Sequence, residues 1–224
     1  MGGMVPLGDA SRQPTSIPLM TILIIVANIF AFWLEIMGGE AFVTRWSVIP
    51  AEIVAGHRWI TLLTAMFLHG SWSHIIGNMV FLWAFGPEIE DAMNPVRYLV
   101  FYLLGGIVAM LAQVAAIPSS TLPNLGASGA IAAVMGAFLV TYPHDRIRTL
   151  FFFFIFVRIT FIPAAALIVL WFLSQLLDAG SVAAVQTGGV AYLAHIGGCV
   201  FGAATARFFE GPRRLGAQGT MADF

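Results

Sequence analysis

Four polar side chains lie inside otherwise apolar stretches of this sequence, and their types suit the hydrolysis of an amide bond. Ser128 stands in the motif GASGA at 126–130, and His195 lies in a second apolar stretch further along the chain. His74 and Asn78 are four residues apart, which places them on one face of a helix. A serine can attack a carbonyl, a histidine can carry its proton, and hydrogen-bond donors can stabilise the oxyanion that forms.

The elements that must position these residues are membrane-spanning helices. Hydrophobic residues make up 59 % of the chain and charged residues 9 %, and the mean hydropathy is +0.91. Soluble domains carry about 25 % charged residues, so lipid is the expected solvent for most of this chain. About 20 apolar residues cross a bilayer as a helix. This rule predicts spans near 17–37, 74–92, 96–117, 126–142, 161–178 and 189–209.

Span five requires a choice, because the apolar run 149–177 is too long for one straight helix. Arg158 and Pro163 interrupt it. We therefore predict that the Phe-rich segment 150–157 lies at the membrane interface and that Pro163 opens the helix. The fold class predicted is all-α, a polytopic bundle of six transmembrane helices. It has one membrane domain over 17–209, a short polar tail over 1–16 and a C-terminal tail over 210–224.

The arginines, which are all of the basic residues, predict the orientation. With both termini inside, the outer loops hold only Arg45 and Arg58, and Arg158 lies near the inner end of span five. The inner segments hold Arg12, Arg97, Arg146, Arg148, Arg207, Arg213 and Arg214. The positive-inside rule therefore favours an N-in/C-in arrangement. Spans two, four and six then run inward, and the four polar residues fall within about two turns of their outer ends.

The remaining composition limits partners and location. The net charge of −1 predicts no nucleic-acid partner. The polar first 16 residues lack the pattern of a cleaved signal or an Arg/Ser-rich transit segment, which favours a bacterial plasma membrane, with the active site toward the outside.

Each of the four polar residues also has a purely structural interpretation. A serine between glycines is a common helix-packing site in membranes, and intramembrane His and Asn side chains often bond neighbouring helices. Their occurrence together at one depth favours a functional site. Small residues add to this, because they let two helices approach until a hydroxyl reaches an imidazole at about 2.6–3.2 Å. The two stripes are Ser128, Ala132 and Gly136 on span four, and His195, Gly198 and Gly202 on span six.

This set of residues resembles the rhomboid intramembrane serine proteases over about residues 57–207. The similar segments are FLHG at 67–70 ahead of His74 and Asn78, GASG at 126–129, and AHIGG at 194–198. The FG pair at 85–86 and the polar residues Glu90, Asp91 and Arg97 also look like the family's inner end of span two.

The resemblance implies a role for each position. Ser128 is the nucleophile and His195 the base, while His74, Asn78 and the Ser128 N–H form the oxyanion hole. Supporting positions are His69, Gly126, Gly129, Gly198, Gly202, Glu90, Asp91 and Arg97. The family cleaves membrane-anchored proteins, often with a single span, near the outer face of the bilayer. It needs no metal or cofactor, so transmembrane protein substrates and lipid are the expected partners.

One departure concerns the base. Many family members have an aromatic residue four positions after the nucleophile, where it braces the histidine, but Ala132 stands there in this chain. No carboxylate lies at this depth on spans two, four or six, so the predicted site is a Ser-His dyad. We therefore expect either Tyr192 or helix packing to hold the His195 side chain in place.

Three other functions are weighed against hydrolysis. A transporter or channel should continue its polar lining inward, yet residues 130–140 contain no polar side chain. A metal site from His69, His74 and His195 lacks an H-E-x-x-H motif or a carboxylate ligand. A non-catalytic relative that binds membrane helices stays open as an alternative, because a sequence does not report turnover.

Overall fold

The computed structural model describes residues 2–153, 156–182 and 192–211. Within these ranges the chain forms eight α-helices, one 3-10 turn at Ala65–Phe67 and three strands. The helices are α1 Leu19–Trp46, α2 Pro50–Val54, α3 Thr61–Thr64, α4 Trp72–Met93, α5 Pro95–Ala116, α6 Ser128–Thr141, α7 Ala164–Val182 and α8 Tyr192–Phe209. The strands are β1 Gly2–Asp9, β2 Arg146–Phe153 and β3 Phe156–Pro163.

The six long helices lie at the segments predicted to span the membrane. Among the described helices, α1 and α5 are long and apolar enough to cross a bilayer. α1 runs past the predicted end at 37, with a break in helical geometry at Gly39 (φ 60°, ψ −157°). The start predicted for span six, 189–191, lies outside the described residues.

A three-stranded antiparallel sheet corrects the all-α prediction. β2 lies between β1 and β3. The predicted polar tail 1–16 supplies β1, while β2 and β3 take up the predicted interfacial segment and the start of span five at 161–163. Along β2, Ile147 and Thr149 are buried while Arg146 and Arg148 are exposed. A count of apolar residues does not distinguish a strand from a helix. Because β3 takes up residues 161–163, α7 begins at Ala164.

Charged residues join β1 to the segment between α6 and β2. The guanidinium of Arg12 binds the carboxylate of Asp145 and lies 3.9 Å from the centroid of the Tyr142 ring. Burial raises the pKa of Asp9 to about 7. Burial acts in the same direction on Asp145, but the hydrogen bonds from Arg12 and Asp9 and the nearby positive charge of Arg12 together outweigh it and lower the pKa of Asp145. Arg12 therefore pairs with an ionised Asp145.

The centre of the bundle is α6. Every residue from Gly129 to Phe138 is buried, as expected for a helix that is apolar on all sides. Its approach to α8 is close enough that a Cβ added to Gly198 would overlap the carbonyl oxygen of Gly129, and one added to Gly202 would overlap that of Ala133. α5 approaches the same helix, since a Cβ on Gly105 would come within 2.6 Å of the Ala133 Cβ.

The polar residues at the far end of α4 bind three different segments rather than one another. Glu90 accepts hydrogen bonds of 2.8 Å from the N–H groups of Met20 and Thr21 and from the Thr21 hydroxyl, at the start of α1. Asp91 accepts from the hydroxyls of Thr15 and Ser16. At the start of α5, Arg97 donates to the Glu210 carbonyl at 2.9 Å.

Candidate active site

Ser128 and His195 meet where α6 begins. The Ser128 Oγ lies 2.7 Å from the His195 Nε2, a separation at which a proton can pass between them. The first hydrogen bond of α6 runs from Ile131 N to Ala127 O. The N–H groups of residues 128–130 therefore have no acceptor within the helix and, with the helix dipole, favour negative charge at this position. His195 is 6 % exposed, whereas Ser128 is half-buried.

Glycine at position 198 lets the two helices approach beside this pair, since any Cβ there would overlap the Gly129 carbonyl. The missing side chain of Gly129 serves a different contact, because a Cβ there would lie 2.6 Å from the Ala109 Cβ of α5. Two turns along α6, Gly136 packs in the same way against the Cys199 carbonyl. The small-residue stripes therefore lie at the interface where the hydroxyl and the imidazole meet.

His74 reaches the same place from α4. Ser71 caps this helix by accepting a 3.2 Å hydrogen bond from the His74 N–H, which fixes where the first turn starts. A Cβ added to Gly126 would lie 3.0 Å from both Cε1 and Nε2 of His74, and 3.5 Å from the Ser128 Oγ. The imidazole edge of His74 and the serine hydroxyl thus flank the same glycine.

Asn78 lies one turn further along α4, on the same face as His74. Its side chain is 8 % exposed, and its Nδ2 has no hydrogen-bond partner within the described part of the chain. Leaving a buried donor unsatisfied costs about 1–3 kcal/mol, so such a group calls for an explanation. One explanation is that the Asn78 amide binds a substrate oxygen, and does so only during a reaction.

His69 supports His74 from behind. The two imidazoles contact edge to face with centroids 5.1 Å apart, and the Phe32 ring also meets His69 edge to face, with centroids 6.4 Å apart. The backbone N–H of His69 donates to the Glu35 carboxylate at 2.8 Å. Glu35, a buried residue of α1, was missed in the sequence analysis, although an acidic residue inside an apolar span is itself a signal.

The loop that carries Gly126 is fixed by backbone hydrogen bonds. Gly126 N donates to Ala65 O at 2.8 Å, and Val48 and Asn124 exchange two hydrogen bonds of 2.9 and 2.7 Å. Arg58 holds the other side of this region by donating to the carbonyls of Thr44 and Arg45 at the end of α1. The segment between α1 and α4 therefore fixes the position of the α6 N-terminus.

Within the part of the chain that the structure describes, two aromatic rings are seen in contact with His195. Trp171, on α7, lies 5.6 Å away between centroids at an interplanar angle of 39°. Tyr192, on α8 itself, lies 6.4 Å away at 89°. Gln113 of α5 accepts a 3.2 Å hydrogen bond from the N–H of Ala194. Sequence reasoning named Tyr192 but neither Trp171 nor Gln113. Gln113 carried a signal as a polar group in an apolar span, and Trp171 carried none.

The predicted residues thus divide into two sets. Ser128, His195, His74 and Gly126 meet at one end of α6, with Asn78 one turn below His74. The second set, Glu90, Asp91 and Arg97, lies at the other end of α4 and the start of α5.

Comparison with known proteins gives consistent matches. A family model described as the rhomboid domain matches residues 56–210. Rhomboid protease GluP of Bacillus subtilis is 34 % identical over 133 residues, which is 58 % of this chain and 26 % of GluP. Rhomboid protein 1, mitochondrial, of Saccharomyces cerevisiae is 25 % identical over 182 residues, covering 78 % of this chain and 48 % of that protein.

A third relative matches over more of the chain. The presenilin-associated rhomboid-like protein, mitochondrial, of Bos taurus is 27 % identical over 207 residues, covering 88 % of this chain and 48 % of the relative. The chain therefore spans about half the length of the mitochondrial relatives and about a quarter of GluP.

Proposed function

This chain belongs to the rhomboid family of integral membrane proteins, and from that premise we propose that it is an intramembrane serine endopeptidase. The observation that carries the proposal is the 2.7 Å contact between the Ser128 Oγ and the His195 Nε2. A rhomboid domain that only bound its partners would have no need of a base in contact with a serine hydroxyl.

The proposed reaction has two steps. As the Ser128 Oγ attacks the scissile carbonyl carbon, His195 Nε2 takes the hydroxyl proton and a tetrahedral intermediate forms. The C–N bond then breaks as His195 passes that proton to the leaving amine, which leaves the acyl group on Ser128. In the second step His195 removes a proton from water, the hydroxide attacks the acyl carbon, and the bond to Ser128 Oγ breaks as His195 returns that proton to the serine oxygen.

The oxyanion of the intermediate is assigned to three donors. The N–H of Ser128 lies at the free end of α6, the His74 ring lies beside Gly126, and the buried Asn78 amide lies one turn further along α4. Removing one such donor typically lowers kcat by about 10²–10³-fold. His69 and Glu35 hold the His74 ring in place.

We also propose a membrane setting for this site. α6 has 14 residues, about 21 Å of helix, which is less than the roughly 30 Å of a hydrocarbon core. Ser128 then lies below the outer surface, reached by water from that side. The domain over 17–209 is proposed to form six spans with both termini inside. Its location is proposed to be a bacterial plasma membrane, and its substrates are proposed to be membrane-anchored proteins that it cuts near the outer face.

The first prediction concerns Ser128. A fluorophosphonate probe should label the detergent-purified protein at this residue, because the neighbouring imidazole activates its hydroxyl. Ser128→Ala should abolish both labelling and the cleavage of a single-span reporter protein. Ser119→Ala is the matched control, since Ser119 is an exposed serine of the loop before α6, and it should label and cleave like the unchanged protein.

Other outcomes would redirect the proposal. Full cleavage by Ser128→Ala would exclude Ser128 as the nucleophile. Cleavage that chelators abolish would favour a metal site. Reporter binding without labelling or cleavage by the unchanged protein would leave the non-catalytic alternative, a protein that captures membrane helices.

A further inference from the structure

The orientation of His195 needs a physical cause. A histidine that carries a proton between a serine and a leaving amine must keep its Nε2 aimed at both, and in a Ser-His-Asp triad a carboxylate maintains that orientation. We propose that in this chain Trp171 is the positioning residue that holds the His195 imidazole, from a different helix. This inference rests on the hydrolytic function proposed above and assigns one further residue to it.

The ring contacts support this assignment. The indole of Trp171 has its centroid 5.6 Å from that of the imidazole and is inclined to it by 39°, so the two rings are in tilted contact. Tyr192 meets the imidazole edge-on at 6.4 Å. Tyr192 belongs to α8 and moves with His195, whereas Trp171 belongs to α7. Trp171 is thus the aromatic residue that fixes the imidazole relative to the rest of the bundle.

Packing between α6 and α8 explains why the contact comes from α7. Ala132 is fully buried against α8, and a Cβ on Gly198 would already lie 3.3 Å from the Ala132 Cβ. A larger side chain at 132 would push apart the two helices that bring Ser128 to His195. The close helix approach and an aromatic brace on α6 therefore compete for the same space. α7, which makes no such approach, can carry a large ring.

The contact also has an electrostatic consequence. The imidazole is neutral before it accepts the serine proton and positive afterwards. A positive group over the face of an indole, within about 6 Å of its centroid, is attracted by the ring quadrupole, and tryptophan is the most effective ring for this. The attraction appears only as the charge develops, so it lowers the barrier rather than the ground state and acts on kcat.

The test compares Trp171→Phe with Trp171→Leu. Phenylalanine keeps an aromatic face and leucine keeps only apolar bulk. We expect the Leu variant to lower kcat and the fluorophosphonate labelling rate by about 10-fold, the size of a partly desolvated cation–π contact. The Phe variant should stay within about 3-fold of the unchanged protein. KM should be the same in all three, because the contact acts after binding.

Controls separate positioning from folding. Phe172→Leu alters the adjacent aromatic residue of α7, for which the described ring contacts include none to His195, and it should leave kcat unchanged. Melting temperatures of the Phe and Leu variants should agree. The proposal is overturned if Trp171→Leu keeps full kcat, if Phe and Leu lose equally, or if KM alone changes. Absence of Ser128 labelling in the unchanged protein would overturn the proposed function as well, whereas normal labelling with an active Leu variant overturns only the role of Trp171.

Discussion

His74 can lie beside the Ser128 hydroxyl because residue 126 has no side chain. Gly126 has a φ of +130°, a conformation that L-residues rarely adopt, and its missing Cβ would fall 3.0 Å from the His74 ring. Glycine is thus required here twice, once for the backbone and once for the neighbour. The position of His74, the proposed oxyanion donor, depends on this residue.

Gly126→Ala should therefore slow the proposed reaction by more than its loss of stability explains. The added methyl group displaces the His74 ring, and the rate of fluorophosphonate labelling should fall by about 10-fold or more, as for a displaced oxyanion donor. Gly56→Ala is the matched control. Gly56 also has a positive φ, +85°, but a Cβ there meets nothing within 4 Å.

Both substitutions carry backbone strain of about 1–3 kcal/mol, so their melting temperatures should fall by similar amounts. Only Gly126→Ala should lose labelling. Equal labelling by the two variants would show that Gly126 serves the loop conformation and not the placement of His74.

At the same scale, residue type and a shared depth singled out Ser128, His195, His74 and Asn78 as candidates, because polar groups are rare in apolar spans. Trp171 escaped notice for the converse reason. A tryptophan in an apolar helix is ordinary, and only its distance to the imidazole distinguishes it from other core residues.

At the scale of elements, the contact between α6 and α8 determines whether the site exists. Gly198 and Gly202 let α8 approach to within backbone contact of Gly129 and Ala133. The hydroxyl and the imidazole belong to these same two helices, one on each. Any change that widens their spacing should therefore reduce catalysis and stability together.

Gly202→Ala tests this spacing. Its Cβ would overlap the Ala133 carbonyl oxygen, and overpacking of this kind costs about 1–3 kcal/mol. We expect a lower melting temperature and slower Ser128 labelling. Gly77→Ala is the control, since Gly77 is a helical glycine of α4 with nothing within 4 Å of its missing Cβ. It should melt at the same or a slightly higher temperature. Normal labelling by Gly202→Ala would show that the helices tolerate a wider spacing.

The sheet is the element that sequence reasoning did not anticipate. The run 149–163 is largely apolar, and the alternation of Arg with Ile and Thr over 146–149 was the available strand signal. Pairing with β1, more than 130 residues earlier in the chain, decided the outcome. A local hydrophobicity pattern does not indicate which distant segment a strand will pair with.

At the scale of the whole molecule, the charged residues divide between the two ends of the bundle. Arg12 binds Asp145, while Arg97 and Arg207 both bind Glu210. These contacts all lie at the end of α6 opposite Ser128. Arg45 and Arg58 lie at the end of α1 that neighbours the site. The distribution agrees with an inner face distant from the dyad.

This arrangement predicts a measurable topology in a bacterial host. Green fluorescent protein fused after Phe224 should fluoresce, because the C-terminus is expected in the cytoplasm. Alkaline phosphatase fused after Ile117 should be active, because the loop before α6 is expected outside. An active phosphatase at the C-terminus together with a dark fluorescent fusion would reverse the orientation and place the site toward the cytoplasm.

The sequence by itself determined the solvent of this protein, the family, and the chemical identity of the candidate nucleophile, base and oxyanion donors. These follow from composition and from polar residues in apolar segments, which are local properties. Only the tertiary structure decided that Nε2 of His195 contacts the Ser128 Oγ, that Gly126 makes room for His74, that β1 pairs with β2, and that the Trp171 ring contacts the His195 ring. Those contacts join residues distant in the chain, and their distances are set by how closely helices and strands can pack.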